Sequence, residues 1–305
     1  MRYRDNGSVI HGLNPFCKLA WAGGVLFLAL VLQNPLFLLM LFFSTLPVMV
    51  AARVWREWTS YMKFAVFLCL AIVVINALVS HHGAHILAEA PFSIPVLGTP
   101  VITLEAVLFG LAMAVKLLAI ISAFAILTLT LSPDDMMLAM VKLRLPYRSV
   151  LVTALSTRFL PALINDAARI ADVQRTRGVE AGKGWLHRRV KARMSVVIPL
   201  LSNSLDRAVQ IAEAMESRAF GNGTKRTFYR NIPVSRVDLV SMAAAGAVSV
   251  LGIVFMLYRH GDYQFYPSPG GLPMSAATWA MLAGLVLIVA SPVLFGLVKR
   301  RAELD

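Results

Sequence analysis

Two short stretches of the sequence carry residues that could bind a partner, and each has an arginine near its end. The first is Ala171–Gly178, which contains Arg177, and the second is Ala212–Gly221, which contains Arg218. Both run from an alanine-rich, helix-forming segment to a glycine that can end a helix. Arginine presents five donors in a rigid fork that suits carboxylates. Either stretch alone is also typical of a solvated helix end with a basic cap, but two in one segment favour a partner.

Composition places the chain in a membrane. Of its 305 residues, 58% are hydrophobic and 15% are charged, and the mean hydropathy is +0.71. A soluble domain cannot bury that much apolar surface, so we expect an integral membrane protein in contact with the lipid bilayer. The net charge of +13 could suggest nucleic acid, but the basic segment lacks the interleaved aromatic residues and motifs of such proteins. We therefore expect no nucleic-acid partner.

Six apolar segments approach the ~20 residues that a helix needs to cross a bilayer. They are residues 17–33, 35–52, 63–79, 104–131, 237–258 and 276–298. The predicted fold class is an all-α membrane protein of about six transmembrane helices, with a helical cytoplasmic domain inserted between the fourth and fifth. The predicted division is residues 1–131 for four spans, 132–236 for the cytoplasmic domain and 237–305 for two spans.

Positive charge predicts the orientation of these spans. The connection around 53–63 and the end at 299–301 are basic, and residues 132–236 hold eighteen Lys and Arg against eight Asp and Glu. Segments 80–103 and 259–275 carry one arginine and no lysine between them. With six spans, all the basic connections fall on one side, so both termini and the 132–236 segment are expected in the cytoplasm of a prokaryotic cell.

The basic segment is predicted to be helical. Ser132–Asp135 is a typical helix start, with a serine N-cap, a proline at the first position and acids in the first turn. Long amphipathic helices are predicted from about 147 to 177 and from about 189 to 218. The second contains an apolar patch, Val196–Leu201, too short to span a bilayer. Either a neighbouring helix or a partner subunit is expected to cover it.

Motifs for bound cofactors are missing or incomplete. Gly178–Gly184 is one residue short of a phosphate-binding loop and lacks the hydroxyl that would hold Mg²⁺. His81, His82 and His85 could bind a transition metal, but three histidines without a carboxylate are more typical of a solvated loop. We therefore expect no cofactor, no metal site and no catalytic residue.

Lys116 lies halfway along the 104–131 segment, where an isolated charge costs at least ~2.5–3.5 kcal/mol. It is expected either to face the bundle interior, with a role in assembly, or to extend its ammonium to the interface. Glu105, near the outer end of the same segment, is interpreted as an interfacial residue.

The chain carries an ordered series of motifs. They are His11–Leu19, Leu129–Asp135, Arg158–Pro161, Ala168–Gly178, Ile198–Leu201, Asp206–Ala208 and Ala214–Gly221. The first is similar to H-x-L-D-P-x-x-K-L and the second to L-T-x-S-P-x-x, and together they resemble the transmembrane T component of energy-coupling-factor (ECF) transporters. This family is a branch of the ATP-binding-cassette (ABC) importers. The resemblance covers roughly residues 9–225 in register.

The resemblance implies a non-enzymatic coupling subunit. In the family, two Ala-Arg-Gly motifs end helices that dock on a pair of ABC ATPase subunits, and the helices cradle a small substrate-specific membrane subunit. Arg177 and Arg218 then correspond to the coupling arginines. The implied ATPase-coupling residues are Thr176, Arg177, Gly178, Ser217, Arg218, Ala219 and Gly221.

Three of these residues depart from the family pattern. Thr176 and Ser217 replace alanine, and Ala219 replaces glycine. Alanine resists the left-handed backbone that glycine permits, so Gly221 is a candidate for that position instead.

The predicted function is coupling of ATP hydrolysis to import of a vitamin or a transition-metal ion such as cobalt or nickel. A permease with its own substrate path is an alternative, which predicts polar residues on several spans around a midplane cavity. A membrane-embedded enzyme is a further alternative, which predicts clustered carboxylates or histidines at one membrane face.

Overall fold

The structure is a computed structural model. It describes residues 6–80, 83–89, 101–143, 146–178, 186–221, 236–257, 263–266, 270 and 276–302. The interpretations of His81 and His82 and of the loop at 179–184 concern residues outside this part. The chain forms two compact units, a first unit of Met1–Met136 with Ile232–Asp305 and a second unit of Met137–Asn231.

Helices account for nearly all the described elements. In chain order they are α1 (Pro15–Val31), α2 (Pro35–Ala52), α3 (Trp55–Val79), β1 (Ile86–Glu89), β2 (Val101–Thr103), α4 (Leu104–Thr130), α5 (Pro133–Lys142), α6 (Tyr147–Thr176), α7 (Leu186–Ser217), α8 (Arg236–Leu257) and α9 (Ala276–Ala302). Over the described residues, each of the six predicted apolar segments lies in a helix to within two residues at its ends. Among the described residues, α2, α3 and α4 are each long and apolar enough to cross a membrane, which confirms the membrane class.

Local capping sets several helix starts. Asn34 accepts a hydrogen bond from the Leu36 N–H at 3.0 Å, and Ser132 accepts one from the Asp135 N–H at 3.0 Å. A proline follows each cap, where its missing N–H removes a donor that would have no partner in the helix. These contacts start α2 directly after the predicted turn and start α5 at the predicted helix start.

Small residues on α4 let other helices of the first unit pack closely on it. α4 contacts α1, α2 and α3, while α8 and α9 contact each other and pack on α1 and α2. A Cβ at Gly110 would lie 3.1 Å from the Cα of Val73 on α3, so the two backbones nearly touch. The buried alanines of α4 are Ala106, Ala112, Ala114, Ala119, Ala123 and Ala125.

Polar side chains inside the first unit bond to one another. The Ser122 hydroxyl lies 2.8 Å from the Thr45 hydroxyl, and it also accepts a hydrogen bond from the Trp58 indole N–H at 3.1 Å. These contacts link α2, α3 and α4. Because no water is present in the bilayer core, bonding between helices satisfies groups that would otherwise be costly to bury.

A two-stranded ladder precedes α4, which the sequence analysis did not predict. β1 pairs with β2 in an antiparallel register, with Ile86 opposite Thr103. Strands of four and three residues carry too little pattern to be read from sequence. The ladder places the chain before β1 against the first turn of α4.

The second unit is built on α6 and α7, which pack against each other. Their bounds confirm the two long predicted helices within three residues. Within the predicted patch, Val197, Ile198 and Leu201 are 47%, 61% and 58% exposed. Within the described part of the second unit, α6 leaves these three side chains largely exposed.

Candidate coupling site

Arg177 is the residue that follows the last turn of α6. Its backbone is near-helical (φ −87°, ψ 8°) and Gly178 beyond it has φ +81°. The Gly178 N–H donates to the carbonyl of Arg175 at 2.9 Å. The Thr176 hydroxyl donates to the carbonyl of Val173 at 2.7 Å. A left-handed glycine with a backward hydrogen bond is a common helix ending.

The end of α7 has a similar geometry with alanine in the glycine position. The Ala219 N–H donates to the carbonyl of Glu216 at 2.8 Å, and the Phe220 N–H donates to that of Met215 at 2.9 Å. This pair of bonds is a Schellman motif. Ala219 takes the left-handed conformation at φ +55°. The structure therefore differs from the expectation that Gly221 replaces it, although Gly221 also has a positive φ of +106°.

The two helix ends also share a side-chain contact. Ser217 donates its hydroxyl to the carbonyl of Ala214, three residues earlier, at 3.0 Å, as Thr176 does in the first motif. In both cases the hydroxyl residue precedes the arginine. Thr176 and Ser217, which depart from the family pattern, thus form the same hydrogen bond to the carbonyl three residues earlier.

Both arginines present their guanidinium groups to the outside of the second unit. Arg177 and Arg218 are exposed. Neither side chain forms a hydrogen bond or an ion pair with any residue that the structure describes, whereas Arg175 pairs with Asp172 at 3.1 Å. Two exposed guanidinium forks at helix ends can each bind a carboxylate or the carbonyls at a helix C-terminus.

The outer surfaces of α6 and α7 are apolar over much of their length. Their exposed large hydrophobic side chains are Val152, Leu160, Ile164, Val173, Met194, Val197, Ile198, Leu201, Leu205 and Val209. Exposed apolar side chains that lie next to one another mark interaction sites on proteins or membranes.

Lys116 is half-buried on α4 and forms no hydrogen bond with the described residues. The fully enclosed lysine of the first unit is instead Lys18 on α1, which is 5% exposed. Its ammonium donates to the carbonyls of His11 and Thr130, each at 2.9 Å. Sequence reasoning treated Lys18 only as part of a motif. The sequence feature that could have indicated this burial is a charged residue placed just inside an apolar segment.

Glu105 lies in the first turn of α4. Its side chain is fully buried, and it accepts hydrogen bonds from the backbone N–H of His85 at 3.2 Å and from its Nδ1 at 2.8 Å. The β ladder brings His85 to this position. Among the described residues no three potential metal ligands come together.

Comparisons with known proteins identify relatives of this chain. The family described as "CbiQ: Cobalt transport protein" matches residues 6–229. The energy-coupling factor transporter transmembrane protein EcfT of Bacillus selenitireducens is 29% identical, covering 79% of this chain and 91% of that protein. EcfT of Lacticaseibacillus paracasei is 30% identical, covering 84% of this chain and 97% of that protein.

A third relative is a larger protein. A Bifidobacterium longum protein, named as an ABC transporter ATP-binding protein, is 28% identical over 81% of this chain, and the match covers 32% of its length. The family match covers more than half of the chain, and the EcfT relatives match it along most of their length. This chain therefore belongs to the family of CbiQ cobalt transport proteins and EcfT transmembrane proteins, and it is the T component of an ECF transporter.

Proposed function

We propose that this T component passes the motion of two ABC ATPase subunits to a small substrate-binding membrane subunit, and that it has no catalytic activity of its own. The observation that carries the proposal is the pair of matching helix ends with exposed arginines. One such end would need a single partner site. Two ends that each place a left-handed residue directly after the arginine fit a pair of similar sites, as a dimer of identical or related ATPases would offer.

The proposed chemistry of coupling rests on Arg177 and Arg218. Each would place its guanidinium against a carboxylate or a helix C-terminus on one ATPase. Thr176, Gly178, Ser217, Ala219 and Gly221 would shape the helix ends that enter the two sites. Because rigid helices join the arginines to the rest of α6 and α7, a movement of the ATPases would be transmitted along both helices.

The apolar surface of α6 and α7 supports a second partner. A membrane subunit with an apolar face would cover Val197, Ile198 and Leu201, which the second unit leaves exposed. We assign recognition of the substrate, a vitamin or a transition-metal ion such as cobalt, to that subunit. Transport function is thus divided between a subunit that binds and one that couples.

The alternatives have less support. A permease with its own path would need polar groups facing a cavity within the spans, but Thr45, Trp58 and Ser122 are bonded to one another between helices. A membrane enzyme would need a cluster of titratable side chains. The buried Glu105 pairs with the exposed His85, without a third such residue among the described ones.

The arginines can be tested by charge reversal. Arg177→Glu and Arg218→Glu are each expected to weaken binding of one ATPase by ~2–5 kcal/mol, since a buried charged contact is lost and repulsion is added. The double variant is expected to abolish association. The measurements are co-purification with the ATPases and substrate uptake in cells.

Arg193→Ala is the matched control. Arg193 is an exposed arginine near the start of α7, and losing an exposed charge costs only ~0–1 kcal/mol. If both glutamate variants assemble and transport as well as this control, then the arginines are ordinary helix caps and the proposed function is wrong.

The chain is embedded in a bacterial cell membrane, and we propose that both termini and the second unit face the cytoplasm. In a background without Cys17 and Cys69, a cysteine at Ala84 should react with an impermeant thiol reagent in intact cells. One at Gln210 should react only after lysis. Labelling of Gln210→Cys in intact cells would exclude this orientation and, with it, contact with cytoplasmic ATPases.

A further inference from the structure

A single side-chain ion pair joins α6 to α7 in the described part of the second unit. The Arg207 Nη2 donates to the Asp166 Oδ2 at 2.8 Å, and the two side chains are 37% and 23% exposed. The other ion pair of this unit, between Arg175 and Asp172, lies within α6 and is about 70% exposed. The Asp166–Arg207 pair is therefore half-buried and links the two helices directly.

The two paired residues occupy equivalent positions in an internal repeat. They are 41 residues apart, as are Arg177 and Arg218. With that offset the segments 164–178 and 205–219 align without a gap. The identical pairs are Ala167 with Ala208, Ile170 with Ile211, Ala171 with Ala212 and Arg177 with Arg218. Asp166 and Arg207 align with each other and carry opposite charges.

Burial follows the same repeat. Along α7, the half-buried residues after the proline-containing patch are Ser204, Arg207, Ile211 and Met215. Their equivalents on α6 are also half-buried: Leu163, Asp166, Ile170 and Gln174. On α6 the half-buried face is wider and adds Ala162, Ala167 and Ala171, whose equivalents on α7 are exposed. The spacing of three to four residues defines one face of each helix. Both helices therefore turn the same face of the repeat inward.

Equivalent residues that contact each other lie close to a two-fold axis, as in a symmetric dimer interface. Asp166 and Arg207 meet in this way. Each is eleven residues from its own arginine, which is ~16 Å along a helix at 1.5 Å per residue. The two helix ends thus lie at equal distances along their helices from the point where the ion pair connects them.

We propose that Asp166 and Arg207 are positioning residues, and that their ion pair holds α6 and α7 as two pseudo-symmetric arms whose arginines match a two-fold-related pair of ATPase sites. This inference rests on the proposed function. The ion pair sets the separation of Arg177 and Arg218. It contacts neither ATPase itself and acts only through the geometry of the two helices.

The separation can be measured on the purified chain without ATPases. Spin labels are attached at Val173→Cys and Ala214→Cys in a background lacking Cys17 and Cys69. Both positions are exposed and equivalent in the repeat, and the distance between the two labels reports the separation of the helix ends. A single narrow distance distribution is expected for the intact pair. Asp166→Arg or Arg207→Asp should broaden it at least twofold, and the charge-swapped double variant Asp166→Arg with Arg207→Asp should restore it.

Asp172→Asn is the matched control because it removes the exposed pair within α6, and it should leave the distribution unchanged. Narrow distributions in both single variants, or failure of the swapped variant to restore the distance, would overturn the inference. Uptake then gives a second measurement. The single variants should reduce transport at least fivefold and the swap should recover it. Transport by the single variants at the level of the intact chain would also overturn the inference.

The two proposals fail in different experiments. Loss of the distance effect overturns the role of Asp166 and Arg207 and leaves the glutamate variants of Arg177 and Arg218 as an independent test of coupling. Conversely, ATPase binding that survives reversal of both arginines overturns the proposed function, even where the spin-label distances behave as expected.

Discussion

Ala219 holds a strained backbone at the end of α7, and replacing it with glycine should relieve that strain. Its φ of +55° brings the Cβ of an L-residue close to the following carbonyl, at a cost of ~1–2 kcal/mol. Glycine avoids this crowding but loses ~0.5–1 kcal/mol more conformational entropy on folding. The difference predicts that Ala219→Gly stabilises this helix end by ~0.5–1 kcal/mol.

The reciprocal change at the other arginine should have the opposite sign. Gly178 has φ +81°, and a Cβ built there meets no atom within 4 Å. Gly178→Ala therefore adds backbone strain without a steric clash, and it should destabilise the end of α6 by ~0.5–1 kcal/mol. The pair of variants tests the same physical effect in two directions.

Hydrogen exchange of the capping amides measures both changes. The Ala219 and Phe220 amides donate to carbonyls of the last turn of α7, and the Gly178 amide donates to that of Arg175. A change of ~0.5–1 kcal/mol corresponds to a two- to fivefold change in exchange rate, since 1.4 kcal/mol is tenfold. Exchange should slow in Ala219→Gly and quicken in Gly178→Ala.

Ala214→Gly provides the control for this reasoning. It makes the same substitution five residues earlier, inside the helix, where glycine costs ~1 kcal/mol. Exchange at the end of α7 should therefore quicken. If Ala219→Gly also quickens exchange, or leaves it unchanged, residue 219 carries no left-handed strain and the Schellman ending is refuted.

Two further predictions concern lysines of the first unit. Lys18→Met should lower the free energy of unfolding by ~2–3 kcal/mol, because buried carbonyls of His11 and Thr130 lose a charged donor. Thermal unfolding in detergent measures this loss. The control Lys63→Met, at an exposed lysine, should have little effect. Lys116→Leu should ease insertion by ~2.5–3.5 kcal/mol yet reduce transport or recovery of the complex. Unchanged transport and recovery would mean that Lys116 only extends to the interface.

The positions of the helices were predictable because the signals that set them are local. The N-cap at Ser132 and the turn at Asn34 act within three residues. The six apolar segments follow from composition within a window of about one bilayer thickness. The two arginine-bearing helix ends were also evident, since a helix-forming stretch followed by Arg and a small residue is a short-range pattern.

The same sequence reasoning failed wherever contacts between distant residues decide the outcome. Lys18 is enclosed because Thr130, 112 residues away, meets it. Glu105 is buried because a ladder of three- and four-residue strands brings His85 against it. The left-handed conformation of Ala219 depends on two hydrogen bonds closing the last turn, which overcome the intrinsic preference of alanine.

The sequence alone thus determined the class of protein, the helices and the identity of the two arginines, since hydrophobicity, capping and charge are properties of neighbouring residues. The tertiary structure decided which polar groups are buried and which face of each helix turns inward. The pairing of Asp166 with Arg207 is another feature that only the tertiary structure decided. Its members are recognisable as equivalent positions in a repeat, but only the packing of α6 on α7 brings their opposite charges within 2.8 Å.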